Sequence, residues 1–125
     1  MRRFLLVCLA GALGTGARYL IGLYAVRRFG TGFPVGTLAV NVIGCFLMGL
    51  IVQIAVATSM STTARFALTT GFLGGLTTYS AFNQDTTQLL RDGANRVALL
   101  NVGATALGCL VAGLAGMLLA RRLVP

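Results

Sequence analysis

The sequence predicts an all-α integral membrane protein with four transmembrane helices, the third of them broken in mid-membrane. Three observations carry this expectation. First, 57% of the 125 residues are hydrophobic and only 10% are charged, at a mean hydropathy of +0.89. A soluble domain carries roughly 25% charged residues, so this chain lacks the polar groups needed to cover a globular surface. Second, its apolar residues fall in runs that reach the roughly 20 residues a span requires. Third, the 10 basic residues are all arginines, set in short groups at the ends of those runs except for Arg18. Despite a formal net charge of +8, this spacing reads as membrane anchoring and excludes a nucleic-acid face. The length fits a single domain covering residues 1–125.

The first span covers about residues 4–26. Its opening, MRRFLLVCLAGALG, has the charged head and apolar run of a signal peptide. The apolar character continues past Arg18, however, with no polar mature domain behind it, and no small residue precedes Cys8 as a lipoprotein site would require. A retained span is therefore expected. The second span covers about 36–57 and the fourth about 97–120, the latter without a single charge. Between them, residues 63–90 are long enough to cross but contain Gly71, Gly74 and Gly75, followed by Thr77, Thr78, Ser80, Asn83, Gln84 and Asp85. Glycines followed by β-branched Thr weaken a helix, which predicts half-helices over 63–73 and 79–90 joined by a break at 74–78. Backbone groups freed inside a bilayer must be buried in protein or line a wet cavity. Broken helices at that depth mark ion and substrate sites.

Much chemistry is excluded by subtraction. The chain has no His, Lys or Trp, and its only acids are Asp85 and Asp92. A Ser-His-Asp relay, a His-bearing metal site and a paired-carboxylate site inside the membrane are thereby absent. Cys8, Cys45 and Cys109 lie in different apolar runs without C-x-x-C spacing and read as buried apolar residues.

Orientation follows from the arginines. Arg2, Arg3, Arg65, Arg121 and Arg122 fall on one side of a four-span chain, and Arg27, Arg28, Arg91 and Arg96 on the other. Five against four is no excess of the kind that fixes topology. A chain so balanced is expected to insert both ways and to assemble as an antiparallel pair, although a weak bias could still suffice for one orientation.

With 17 glycines, each helix can offer a small-residue stripe for close approach. Gly11, Thr15 (or Gly14), Arg18 and Gly22 share a face of the first helix. Thr37, Asn41, Gly44, Cys45 and Met48 share one on the second, and Asn101, Thr105, Gly108, Cys109 and Ala112 one on the fourth. Beyond the break, Tyr79, Phe82, Asn83 and Thr86 share a face. Thr37 and Thr105 read most simply as packing residues. Asn41 does not, because an amide within the bilayer is costly unless paired. Arg18 costs more, roughly 2.5–3.5 kcal/mol at mid-helix, and must face protein or a wet vestibule. Donors without carboxylates suit an anion. The edges of aromatic rings carry partial positive charge, so Tyr79 and Phe82 could line its route.

The residues Gly14-Thr-Gly-Ala-Arg18-Tyr19, Gly36-Thr-Leu-Ala-Val-Asn41 and Gly71-Phe-Leu-Gly-Gly-Leu-Thr-Thr-Tyr-Ser-Ala-Phe82 resemble, in order, motifs of the Fluc (CrcB) fluoride channel family. The resemblance spans essentially the whole chain. It implies an antiparallel, dual-topology homodimer in the bacterial plasma membrane, passing fluoride passively through two pores. It places a pore-lining donor at Asn41, aromatic pore positions at Tyr79 and Phe82, a hydroxyl at Ser80 and a vestibule arginine at Arg18. It further implies a central Na⁺ held by the backbone carbonyls of Gly74 and Thr77, and a polar track on the fourth helix at Thr105 and Cys109, with Asn101 nearby. The sequence departs from the family pattern at Tyr79 (usually Phe), Ala81 (usually Thr), Asn83 (often Ser), Asp85 (often Glu) and Leu107, an apolar residue within the track. Two other functions remain open at this level. A proton-coupled multidrug exporter would need a carboxylate in the first span, which holds only Arg18; a non-conducting packing partner needs no site at all.

Overall fold

The computed structural model describes residues 1–124, and every regular element among them is helical. Helix α1 is Arg2–Phe29 and α2 is Val35–Ala57. A third helical segment follows as α3 (Thr62–Phe66), a wide-turn π stretch (Ala67–Leu73) and α4 (Gly74–Leu76). Helices α5 (Tyr79–Arg91) and α6 (Asn95–Leu123) complete the chain.

The long helices run a few residues past the apolar stretches. Arginine is a good helix former, and Arg27 with Arg28 in α1, like Arg121 with Arg122 in α6, sits in a last turn, where cations suit the helix dipole. Helix α1 stops at Gly30, whose φ of 75° few other residues adopt and whose N–H bonds the Val26 carbonyl at 2.9 Å. Ser61 caps α3 by accepting from the Ala64 N–H at 3.2 Å.

The interruption of the third segment is narrower than the sequence suggests. Helical geometry persists through Leu76, and only Thr77 and Thr78 are extended, with ψ of 153° and 116°. The reason is tertiary. Leu73 and Leu76 are buried with Val40 in the core, flanked by Ala17, Ile21, Leu47, Met48, Ile51 and Phe72. Apolar burial of that turn outweighs the weak helix preference of Gly74 and Gly75. The π stretch before it has no counterpart in the sequence reading.

Two close helix contacts organise the bundle. Helix α1 packs on the third segment and α2 on α6. A Cβ on Gly14 would run into the Phe72 carbonyl, and one on Gly75 into the Gly11 carbonyl. Likewise, a Cβ on Gly116 would meet the Phe46 carbonyl and one on Gly49 the Gly113 carbonyl. Large apolar side chains, Leu13, Leu20, Leu99, Leu110 and Val111 among them, point outward. Helices α1, α2 and α6 are each long and apolar enough to cross a membrane, so these outward residues are suited to lipid. Contrary to the expectation of buried thiols, Cys8 is exposed, and Cys45 and Cys109 are only half-buried.

Candidate functional site

The site forms where the third segment is interrupted. Thr78 is the last extended residue, and its side chain accepts from the Ala81 N–H at 3.2 Å, capping α5. A hydroxyl three residues before that N–H is the ordinary N-cap arrangement. Asn41, buried at 7% exposure on α2, clasps the same residue through both ends of its amide. Its Nδ2 donates to the Thr78 carbonyl at 3.0 Å, and its Oδ1 accepts from the Thr78 N–H at 2.7 Å. One hydrogen on Nδ2 is then left for a further acceptor. The predicted pairing of Asn41 is thus realised with backbone.

This clasp has a consequence for the neighbouring carbonyls. In an uninterrupted helix the Gly74 carbonyl would accept from the Thr78 N–H, and the Thr77 carbonyl from the Ala81 N–H. Here those N–H groups go to Asn41 Oδ1 and Thr78 Oγ1. The Gly74 and Thr77 carbonyls are thereby released from their helical partners. Such oxygens are hard donors of the kind alkali and alkaline-earth cations use. Thr77 itself turns back, its N–H and its Oγ1 both reaching the Leu73 carbonyl at 2.9 Å, and its methyl fills the space above Gly44.

Around the break the polar groups form short chains. Ser80 Oγ and Thr78 Oγ1 share a hydrogen bond of 3.1 Å. Thr86 Oγ1 donates to the Phe82 carbonyl at 2.7 Å and accepts from Asn101 Nδ2 at 2.9 Å, which ties α5 to α6. Thr37 Oγ1 donates to Asp85 Oδ2 at 2.6 Å, joining α2 to α5. Tyr79 and Phe82 lie with ring centroids 5.4 Å apart and planes tilted by 49°. Apart from this contact Tyr79 points outward, 81% exposed.

Arg18 lies in a cleft of about 310 Å³ with Thr15, Thr37 and Thr78, closed by Tyr19, Gly22, Gly36, Val40 and Ala81. No carboxylate lines this cleft, so Arg18 gives it a net positive field favouring an anion. A second cleft of about 200 Å³ shares Gly22, Gly36 and Thr37 with the first and includes Asp85. Thr37 therefore stands between the cationic and the carboxylate compartment.

Thr105 and Cys109, the expected track on α6, are not joined to the break by any hydrogen bond among the described residues. Thr105 Oγ1 is nonetheless notable as a buried side-chain polar atom without a partner, a costly state unless a ligand or second chain meets it. Thr78, Asp85 and Thr86 are central residues that the sequence reading did not single out as site residues. Two signals for them were present: a Thr at a cap position, and the lone acid within the third segment.

The fold and site define a multi-pass, all-helical membrane protein whose interior polar groups gather around an interrupted helix. A family described as CrcB-like protein, Camphor Resistance (CrcB), matches residues 5–117, and the chain belongs to it. Among similar proteins, one from Sorangium cellulosum is 48% identical over 99% of this chain and 98% of its own length. One from Citrifermentans bemidjiense is 46% identical, covering 98% of this chain and all of its own 100%. A third, from Geobacter sulfurreducens, is 50% identical at 98% and 100% coverage. Each bears the name fluoride-specific ion channel FluC.

Proposed function

We propose that this chain is a passive, fluoride-selective channel. The observation that carries the reading is Arg18, held with three threonines in a cleft without a carboxylate, in a chain whose full-length relatives are named fluoride channels. The third segment is read as a fourth span broken in mid-membrane, and the working unit as an antiparallel homodimer with two pores. The balanced arginines, the outward Tyr79 ring and the partnerless Thr105 hydroxyl support a second copy completing each pore.

Fluoride enters the vestibule at Arg18, where charge and hydroxyls replace part of its hydration shell. It then passes the free Nδ2 hydrogen of Asn41, Ser80 and the edges of Tyr79 and Phe82, and leaves along Thr105 and Cys109. Each contact is individually weak, so the ion is not trapped. The released carbonyls of Gly74 and Thr77 fit a structural Na⁺, which when bound offsets the mutual repulsion of carbonyl oxygens brought together by two chains. Purified protein in liposomes should release fluoride rapidly under a voltage and ignore chloride. Absence of fluoride flux, or flux that requires a proton gradient, would sink the proposal.

A further inference from the structure

The most extensive helix contact, between α2 and α6, gathers a cluster of sulfur. Cys45 on α2 and Cys109 on α6 line one cleft at this contact. The approach is set by glycine. Gly49 and Gly113 lie one turn along from these cysteines, and a Cβ on Gly49 would strike the Gly113 carbonyl. Both thiols line a cleft of about 460 Å³, and Met48 and Met117 line it too. Apart from Gln53, the rest of the lining is Gly, Val and Leu.

We propose that Cys45 and Cys109 form a binding site for a soft, thiophilic metal cation, with Met48 and Met117 as its thioether surround. Soft thiolate and thioether ligands select soft cations, whereas Mg²⁺, Ca²⁺ and Mn²⁺ require oxygen donors. Structural Zn²⁺ takes four N, S or O ligands, and no group of three or more His, Cys, Asp or Glu residues occurs among the described residues. Two thiolates suffice for a soft cation of linear geometry. The charges balance in a way that suits an apolar cleft. Each thiol gives up its proton to water, and two thiolates with Hg²⁺ make a neutral complex, without the cost of burying a net charge. Ag⁺ and Cu⁺ belong to the same class and reach neutrality with one thiolate, one thiol and the thioethers. The bound ion would also staple α2 to α6. None of this depends on whether the chain conducts fluoride.

The test uses the full-length protein in detergent, with Cys8→Ser in place so that the exposed third thiol cannot contribute. HgCl₂ alone is the probe. The expected product by intact mass is one mercury per chain with two protons lost, with both remaining thiols shielded from N-ethylmaleimide. It should survive a glutathione challenge at least tenfold higher than that which strips mercury from the added Cys45→Ala or Cys109→Ala variant. Two mercury atoms per Cys8→Ser chain would overturn the proposal, since the thiols would then act separately. Equal glutathione sensitivity of the paired and single-thiol forms would overturn it too. Circular dichroism on the Ala variants, expected to match the parent, separates loss of the site from loss of the fold.

Discussion

Replacing Asn41 by Leu removes a clasp while keeping the branched shape of the side chain. The parent amide holds the Thr78 carbonyl at 3.0 Å and the Thr78 N–H at 2.7 Å, and Thr78 is itself buried. The variant leaves a donor and an acceptor orphaned where water does not reach them. Each such group costs about 1–3 kcal/mol, or about 2–6 kcal/mol for the two. The unfolded chain in lipid also finds partners for its polar groups, which draws the value toward the lower end. The expected loss is therefore about 2 kcal/mol, roughly a thirtyfold shift in the unfolding equilibrium. Reversible unfolding in mixed micelles, followed by helix signal, measures it directly, and fluoride efflux from liposomes is recorded on the same preparation. Both should fall together, because the break loses its shape along with a pathway donor. An unfolding free energy within about 0.5 kcal/mol of the parent, with flux abolished, would refute the clasp and leave Asn41 as a lining residue only.

Three further outcomes are expected. Gly116→Ala drives a methyl into the Phe46 carbonyl and should cost about 1–3 kcal/mol in the same unfolding assay, whereas Gly16→Ala, with nothing within 4 Å of the added carbon, should be neutral or gain up to about 1 kcal/mol. Phe82→Ile removes the positive ring edge at similar bulk and should cut fluoride flux severely with the dimer retained, while Tyr79→Phe keeps a ring and should conduct at least comparably; an active Phe82→Ile channel would mean the edges do not carry the ion. Tags at the C-terminus should be found on both faces of the membrane, and a single orientation in all cells would contradict the arginine balance.

Sequence alone determined the class of this protein and its parts. Apolar run length sets the helices, because a bilayer accepts backbone only when its hydrogen bonds are satisfied within the segment. The scarcity of carboxylates and the intramembrane Arg18 suit an anion, and the ordered motifs point to the family. The site could be assembled by face and period only as far as single helices go. Asn41, Tyr79, Phe82 and Arg18 were visible there, but their partners were not. That Asn41 clasps Thr78, that Thr37 turns to Asp85 and that Asn101 reaches Thr86 are contacts spanning 37, 48 and 15 residues, which periodicity cannot encode. The extent of the break was also decided in three dimensions. Propensity places it across 74–78, yet Leu73 and Leu76 bury against Val40 and Gly75 seats on α1, which keeps that turn helical. The interruption begins only at Thr77, where the next N–H finds a better acceptor in the amide of another helix.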